Sequence, residues 1–339
     1  MNVQNRHLLL ATATRENYYL QPVTINPNST ARINLVNVGL TTNLRVELSY
    51  STTALASPFY NFTNPGSLFT AKFIDYDTTV RFNVRDVDVA ILNLFRKGKD
   101  DFLSNLFLTP SSSLYINQYV FDLPLALHKE ADLRGAVWTN VSGGTATLEI
   151  TNTSSNTLDV SVVQEFLLPQ PINGVLPIPQ IDINTVNEMM YITATDNLLP
   201  NSYKYIDLPN NRTVLETWTW YYDGKYLESP LFELVENANT VILKYDDLTS
   251  YLEQDRHLIQ PLKDTSYRQI LAGLNPITPQ SQFAYMPIRY FNYETQPLLT
   301  NLYGAIQYRF MPSSVNSGAF VTTLFNNLYV KGQVGGVQQ

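Results

Sequence analysis

Cysteine is missing from all 339 residues, so neither disulfide staples nor thiolate metal sites are available. The absence leaves the redox compartment open. Charge is scarce as well: Asp, Glu, Lys and Arg supply 15% of the chain, against ~25% in an ordinary soluble domain. Of these charges 22 are basic and 29 acidic, a formal balance of −7. A nucleic-acid binder carries a basic stripe. The densest basic cluster here, Arg96-Lys97-Gly98-Lys99, runs straight into Asp100-Asp101, so no direct contact with DNA or RNA is expected. Long apolar runs are lacking too. The N-terminal Leu8-Leu9-Leu10-Ala11 is too short for a signal-peptide core, and no later stretch nears the ~20 apolar residues of a spanning helix. The expectation is a soluble chain that bypasses the usual secretory route. On that view the sequons at Asn28, Asn61, Asn140, Asn152 and Asn211 are by-products of an Asn- and Thr-rich composition.

Motifs that carry chemistry are equally sparse. His7, His128 and His257 are far apart, and none has a second ligand at metal spacing. No GxSxG, HExxH, Walker A or GxGxxG pattern occurs, so hydrolase, protease and nucleotide readings lack a starting point. Asp182, Glu188, Asp207 and Glu216 are the candidates for a glycosidase acid pair, although solvated carboxylates on strand faces are the commoner case. Asp246-Asp247 either binds calcium weakly or opens a helix, and the helix is the simpler use. Trp218, Trp220 and Tyr222 share one strand face, either a sugar-stacking platform or inward-facing core. No cofactor and no catalytic residue is expected.

What the chain does contain is neutral polar residues and aromatics, 22 Tyr and 16 Phe among them, in period-two alternation. Such faces meet other surfaces with few charges to desolvate. In "LRVELSY" Leu44, Val46, Leu48 and Tyr50 oppose Arg45, Glu47 and Ser49; in "ARINLVN" Ala31, Ile33 and Leu35 oppose Arg32 and Asn34. Ala146, Leu148 and Ile150 alternate with Thr145, Thr147, Glu149 and Thr151, and Leu158, Val160 and Val162 follow the same rule. These are half-buried antiparallel strands with one wet face. Further strands are expected over Gly304–Phe310 and Ala319–Phe325, and Asp223-Gly224 signals a hairpin turn.

Helix signals are few. "RDVDVAILNLFRKGK" places Val87, Ile91, Leu94 and Phe95 on one face, with Asp86 and Asp88 in the first turn and Arg96, Lys97 and Gly98 at the end. "YDDLTSYLEQDRHLIQP" does the same from Asp246 to Pro261. The two starts lie 160 residues apart, each after a strand, the layout of a worn internal duplication. Pro169, Pro171, Pro177 and Pro179 mark a connector, because proline cannot donate to a sheet ladder. The expected class is all-β: two tandem jelly-roll β-sandwiches with one short helix-bearing loop region in each. The division is an N-terminal arm at 1–20, a first roll at 21–170, a connector at 171–186, a second roll at 187–330 and a C-terminal arm at 331–339.

The segment "PLALHKEADLRGAVWTNVSGGTATLEITNTS", Pro124 to Ser154, resembles the major capsid proteins of tailless icosahedral phages with an internal membrane, the tectivirus type. "TINPNSTARINLVNVGLTTNLRVELSY", Thr24 to Tyr50, is similar to that family's first strands, including Asn37-Val38-Gly39. "VLPIPQIDINTV", Val175 to Val186, is similar to its inter-roll connector. In the second half the nearest likeness is "LYGAIQYRF", and the match there is one of layout. The resemblance implies a double jelly-roll subunit whose homotrimer forms a pseudo-hexamer tiling an icosahedral shell over a membrane.

Several expectations follow from the resemblance. Arg6, His7, Leu8, Leu9 and Leu10 become a candidate inner-surface, membrane-proximal contact, although a short strand or docking arm fits them equally. Lys331, Gly332, Gly335 and Gly336 become a candidate inter-subunit arm. The N-terminal arm is brief for the family, and the connecting loops are short, so outward towers should be small. Partners would be further copies of the chain, minor capsid and vertex proteins and, peripherally, the viral membrane, with assembly in the host cytoplasm and residence in the virion. The alternatives are a carbohydrate-binding or carbohydrate-cleaving β-sandwich, and a minor vertex or spike protein of the same virus type.

Overall fold

The computed structural model describes residues 9–52, 65–97, 115–127, 133–139, 144–171, 185–193, 199, 201–222, 231–245, 283–289, 298–311 and 320–330. The first half supplies β1 (Thr14–Tyr19), β2 (Val23–Ile25), β3 (Thr30–Asn34), β4 (Leu40–Thr52), β5 (Phe69–Ile74), β6 (Val80–Arg85), β7 (Tyr115–Pro124), β8 (Val137–Trp138), β9 (Thr147–Asn152) and β10 (Leu158–Leu168). Helix α1 (Asp86–Lys97) lies between β6 and β7. The second half supplies β11 (Thr185–Thr193), β12 (Lys204–Asp207), β13 (Thr213–Tyr222), β14 (Leu231–Glu236), β15 (Thr240–Tyr245), β16 (Phe283–Arg289), β17 (Leu298–Leu299), β18 (Ile306–Met311) and β19 (Phe320–Val330).

Alternation sets the faces of the first sandwich as the sequence predicts. Leu44, Val46 and Leu48 on β4 are fully buried while Glu47 is exposed. Leu158, Val160 and Val162 on β10 and Leu148 and Ile150 on β9 follow suit. One six-stranded sheet runs β1-β10-β4-β7, with β2 beside β10 and β8 beside β4. Its inner face meets β3, β9, β5 and β6 in one core, where the Phe69 and Phe121 rings stack across the gap at 5.1 Å. Each such ring removes roughly 150–250 Å² from water, which dominates the energetics of the layer. Glu149, expected on the wet face, is nearly buried because Arg32 (2.7 Å) and Lys72 (3.3 Å) close over it.

The connections are held by buried polar side chains. Gln164 on β10 is inaccessible to solvent; its Nε2 donates to the Val36 carbonyl (3.0 Å) and Thr41 Oγ1 (2.8 Å), and its Oε1 accepts from the Val36 amide (2.9 Å). Gly39 sits where a Cβ would come within 2.6 Å of the Leu167 carbonyl oxygen, so the β3–β4 connection needs glycine there. The sequon residue Asn152 is fully buried, its amide donating to the Ile25 (3.0 Å) and Asn156 (2.7 Å) carbonyls.

The second sandwich opposes β16-β13-β19-β11 to the four-stranded sheet β12-β18-β14-β15. Tyr308 on β18 stacks on Phe325 of β19 at 6.2 Å, and its hydroxyl shares a 2.7 Å hydrogen bond with Thr217 on β13. Here the expected wet face fails. All seven residues from Val321 to Asn327 on β19 are buried, because that strand is covered on both sides: Phe325 faces the second core and Leu324 joins the first. The helix read from Asp86 is present as α1; Val87, Val89 and Leu92 are buried, while the side chains of Ile91, Leu94 and Phe95 lie outside the described residues. The helix expected from Asp246 and the turn at Asp223-Gly224 lie outside them as well.

Candidate functional site

The two sandwiches join at β6. Met189 of β11 pairs in parallel with Phe82 of β6, so the inner sheets merge into a single nine-stranded sheet, β16-β13-β19-β11-β6-β5-β9-β3, with β17 beside β13. Charged side chains are buried around this join. Arg81 on β6 donates to Asp75 Oδ2 from Nε (2.7 Å) and Nη2 (2.6 Å), and from Nη1 to the Gly135 carbonyl (2.6 Å). Arg85 ends the strand and donates from Nε to Asp88 Oδ2 (2.9 Å) and from Nη2 to Asp88 Oδ1 (3.2 Å). The same Nη2 reaches Thr322 Oγ1 on β19 at 3.3 Å, crossing from one sandwich to the other.

Between these arginines' partners lies Asp86, the first residue of α1. Its carboxylate is fully buried and accepts three amides: Gly66 (2.6 Å) and Val87 (2.7 Å) on Oδ1, Leu68 (2.8 Å) on Oδ2. Burial pushes its pKa up to about 6, against the pull of those amides, with the Asp88 charge adding to the rise. Gly66 holds φ at +82°, and a Cβ there would press on the Arg85 stem at 3.3 Å. Asp86 and Asp88, which the sequence offers as helix-dipole partners, are thus buried beside the junction, Asp86 tying the 66–68 loop to α1 and Asp88 holding Arg85.

The sheet edges are treated differently. At β7, Asn93 of α1 mimics a neighbouring strand: its Nδ2 donates to the Asp122 carbonyl (2.8 Å) and its Oδ1 accepts from the Asp122 amide (2.7 Å). At the opposite edge β1 pairs with β10 from Thr14↔Leu168 to Tyr19↔Val163, and all six of its side chains are exposed. Tyr19 is 76% exposed. On the four-stranded sheet Tyr203 and Tyr205 stand exposed at β12, the Arg309 guanidinium lying 4.7 Å from the Tyr203 ring centre and bonded to Glu233 (2.7 Å). None of these surface aromatics was singled out by periodicity, although consecutive tyrosines in "RENYYL" are the visible signal.

The residues chosen from sequence fall in several places. Leu9 is buried in a small cluster with Leu40, Ala126, Leu133, Ala136 and Leu167, and Leu10 packs beside it; the Ala13 amide closes one helical turn on the Leu9 carbonyl at 2.9 Å. Arg6, His7, Leu8, Lys331, Gly332, Gly335 and Gly336 lie outside the described residues, as do the three histidines, Asp182 and Asp246-Asp247. Asp207 is exposed on β12 and accepts from Gln307 Nε2 (2.7 Å), whereas Glu216 is buried on β13 with Asn326 Nδ2 at 3.3 Å. These two carboxylates belong to different sheets. Glu188 is placed on β11 by its backbone, and Trp218, Trp220 and Tyr222 on β13 likewise, their side chains lying outside the description. Among the described residues no three His, Cys, Asp or Glu side chains gather as a metal site, and no helix is long and apolar enough to cross a membrane.

No family model matches the sequence, and no curated protein matches it. Solved structures do. The major capsid protein of Sulfolobus Turreted Icosahedral Virus is similar over 96% of this chain and 100% of that chain, with a TM-score of 0.66 and 12% identity. The fold is a double jelly roll. Protein VP54 of PBCV-1 is similar over 96% of this chain and 97% of that one (TM-score 0.61, 7% identity). The major capsid protein P2 of bacteriophage PM2 is similar over 95% and 100% (TM-score 0.51, 12% identity). At such identities the likeness is one of fold, and it spans both rolls and their junction.

Proposed function

We propose that this chain is a viral major capsid protein, a shell-building subunit that acts by self-association and not by catalysis. Three copies stand side by side as a trimer whose six similar rolls form a pseudo-hexamer, and these trimers tile an icosahedral shell over an internal membrane. The observation that supports this best is the closure of two rolls into one sheet within one chain, in a fold shared end to end with major capsid proteins. A trimer can present six-fold neighbours only if each chain carries two comparable rolls held in fixed relation. The β6–β11 pairing, the Arg85–Thr322 hydrogen bond and the entry of Leu324 into the first core support that fixity.

Obligate contacts of this kind bury roughly 2,000–5,000 Å² each, and closed symmetry limits growth. In this reading residues 1–20 and 331–339 are arms, 21–170 and 187–330 the rolls, and 171–186 the connector. The end of β10 at Leu168 supports the near boundary of the connector, while β11, starting at Thr185, takes up its last two residues. Leu9 lies inside the protein with Leu10 packed half-buried against its cluster, which leaves Arg6, His7 and Leu8, with the exposed part of Leu10, to meet the membrane-facing surface. Lys331, Gly332, Gly335 and Gly336 extend towards a neighbouring subunit. Minor capsid and vertex proteins complete the shell, which assembles in the host cytoplasm and persists in the virion. Light scattering of the purified protein tests the reading: the mass should be three times 38.5 kDa at micromolar concentration, and a monomer would count against it.

A further inference from the structure

The strand β1 poses a physical problem. Its six residues keep regular antiparallel register with β10, yet all six are exposed, so side-chain burial contributes little to holding it there. Among the described residues β10 is its pairing partner on one side, and its outer edge is not extended by another strand. An exposed edge is a template for further pairing, and proteins blunt it unless pairing is its use. The β7 edge is blunted, by Asn93.

We infer that β1 is a self-complementary edge through which two copies of this chain meet, antiparallel, in a single register centred on Asn17. The argument is one of symmetry and charge. Two identical antiparallel strands are related by a two-fold axis normal to the sheet, and directly opposite side chains share a face. Residues can therefore be paired only with residues an even number of positions away. A register centred on Arg15 sets Arg15 against its own twin, and one centred on Glu16 sets Glu16 against its twin. Like charges directly opposite are unfavourable. Centred on Asn17, the strands place Asn17 opposite Asn17, Glu16 opposite Tyr18 and Arg15 opposite Tyr19 of the second copy. The phenol hydroxyl of Tyr18 can donate to the carboxylate of Glu16, and the cation of Arg15 meets the ring of Tyr19. Moving the centre to Tyr18 shortens the overlap. Charge and overlap together select one register.

A single strand pair buries far less than the ~1,200 Å² of a stable specific interface. The contact is therefore a weak one between trimers, made effective by several copies acting together, and in this it rests on the capsid reading.

The absence of cysteine gives a clean test. Directly opposite residues in an antiparallel pair have Cα atoms about 4.5–5.5 Å apart, within disulfide range. Full-length Asn17→Cys, Arg15→Cys and Tyr19→Cys variants are oxidised mildly and run on denaturing gels without reductant, with light scattering on the same samples. The expected result is a dominant cross-linked dimer for Asn17→Cys, at least ten-fold above the other two, whose twin positions lie about four residues apart along the strand. Equal cross-linking at all three positions, or none at Asn17→Cys, overturns the inference. None is also the outcome if the chain's own residues cover the edge. Trimers without an Asn17-specific cross-link refute the β1 contact alone; monomers refute the capsid reading.

Discussion

At one edge of the first roll, β6 passes its sheet to β11 and surrounds the crossing with buried arginine–aspartate pairs. At another, β1 is the last strand of the sheet among the described residues, with six exposed side chains. At a third, α1 turns the Asn93 amide onto the Asp122 backbone and closes β7. The backbone chemistry of the three edges is the same, since each presents N–H and C=O groups that need partners. What differs is the source of the partner. The β6 edge is satisfied by the second roll and the β7 edge, at Asp122, by a side chain, whereas among the described residues no strand extends the outer edge of β1. On the proposed capsid reading, a subunit rigid within and associative without needs this division: strong contacts inside the chain, weaker ones between chains.

Breaking the inner edge should cost most. Arg81→Ala leaves the Asp75 carboxylate buried without its cation and should lower unfolding stability by about 3–5 kcal/mol, read from the midpoint of urea denaturation. Leu324→Ala removes a second-roll side chain from the first-roll core and should cost about 2–5 kcal/mol. Hydrogen exchange of the β6 amides should rise with it; unchanged β6 exchange would mean that the rolls are energetically separate.

A pH series sharpens the comparison at Asp86. Its pKa stands near 6 in the fold against 3.8 ordinarily, so the folded chain holds the proton more tightly than the unfolded chain. That contribution to stability is complete below about pH 4 and is lost as pH rises through about 6, a fall of up to about 3 kcal/mol. Asp86→Asn should flatten this slope in denaturation midpoints taken from pH 4 to 7, and a variant with the full slope would assign it elsewhere. The outer edge should matter least to folding. Tyr19→Ser should change unfolding stability by less than about 0.5 kcal/mol, because the side chain is already in water. A larger loss would mean that β1 is part of the core.

The strands were legible wherever one face is wet. Leu44, Val46 and Leu48 announce β4, and the acids and bases flanking 86–97 announce α1, because period and dipole are local properties. Relations between distant elements were not. Phe82 and Met189 lie more than 100 residues apart, and no local period encodes their pairing. "VTTLFNN" on β19 reads as half polar, yet both its faces are buried because a second roll lies behind the sheet. Asp86 looked like a helix-start acid, but what buries it is a loop some 20 residues upstream. Asn93 gave no signal, since an asparagine that completes a strand edge is indistinguishable in sequence from one in solvent. The Pro-rich stretch was visible as composition; residues 172–184 of it lie outside the described residues, between the end of β10 at Leu168 and the start of β11 at Thr185.

Negative-stain electron microscopy of the purified full-length protein tests the central claim most directly. Two fixed rolls per chain, assembled in threes, predict flat particles with a six-lobed outline and three-fold symmetry. A field of isolated two-lobed particles, at concentrations where the protein is folded, would contradict it.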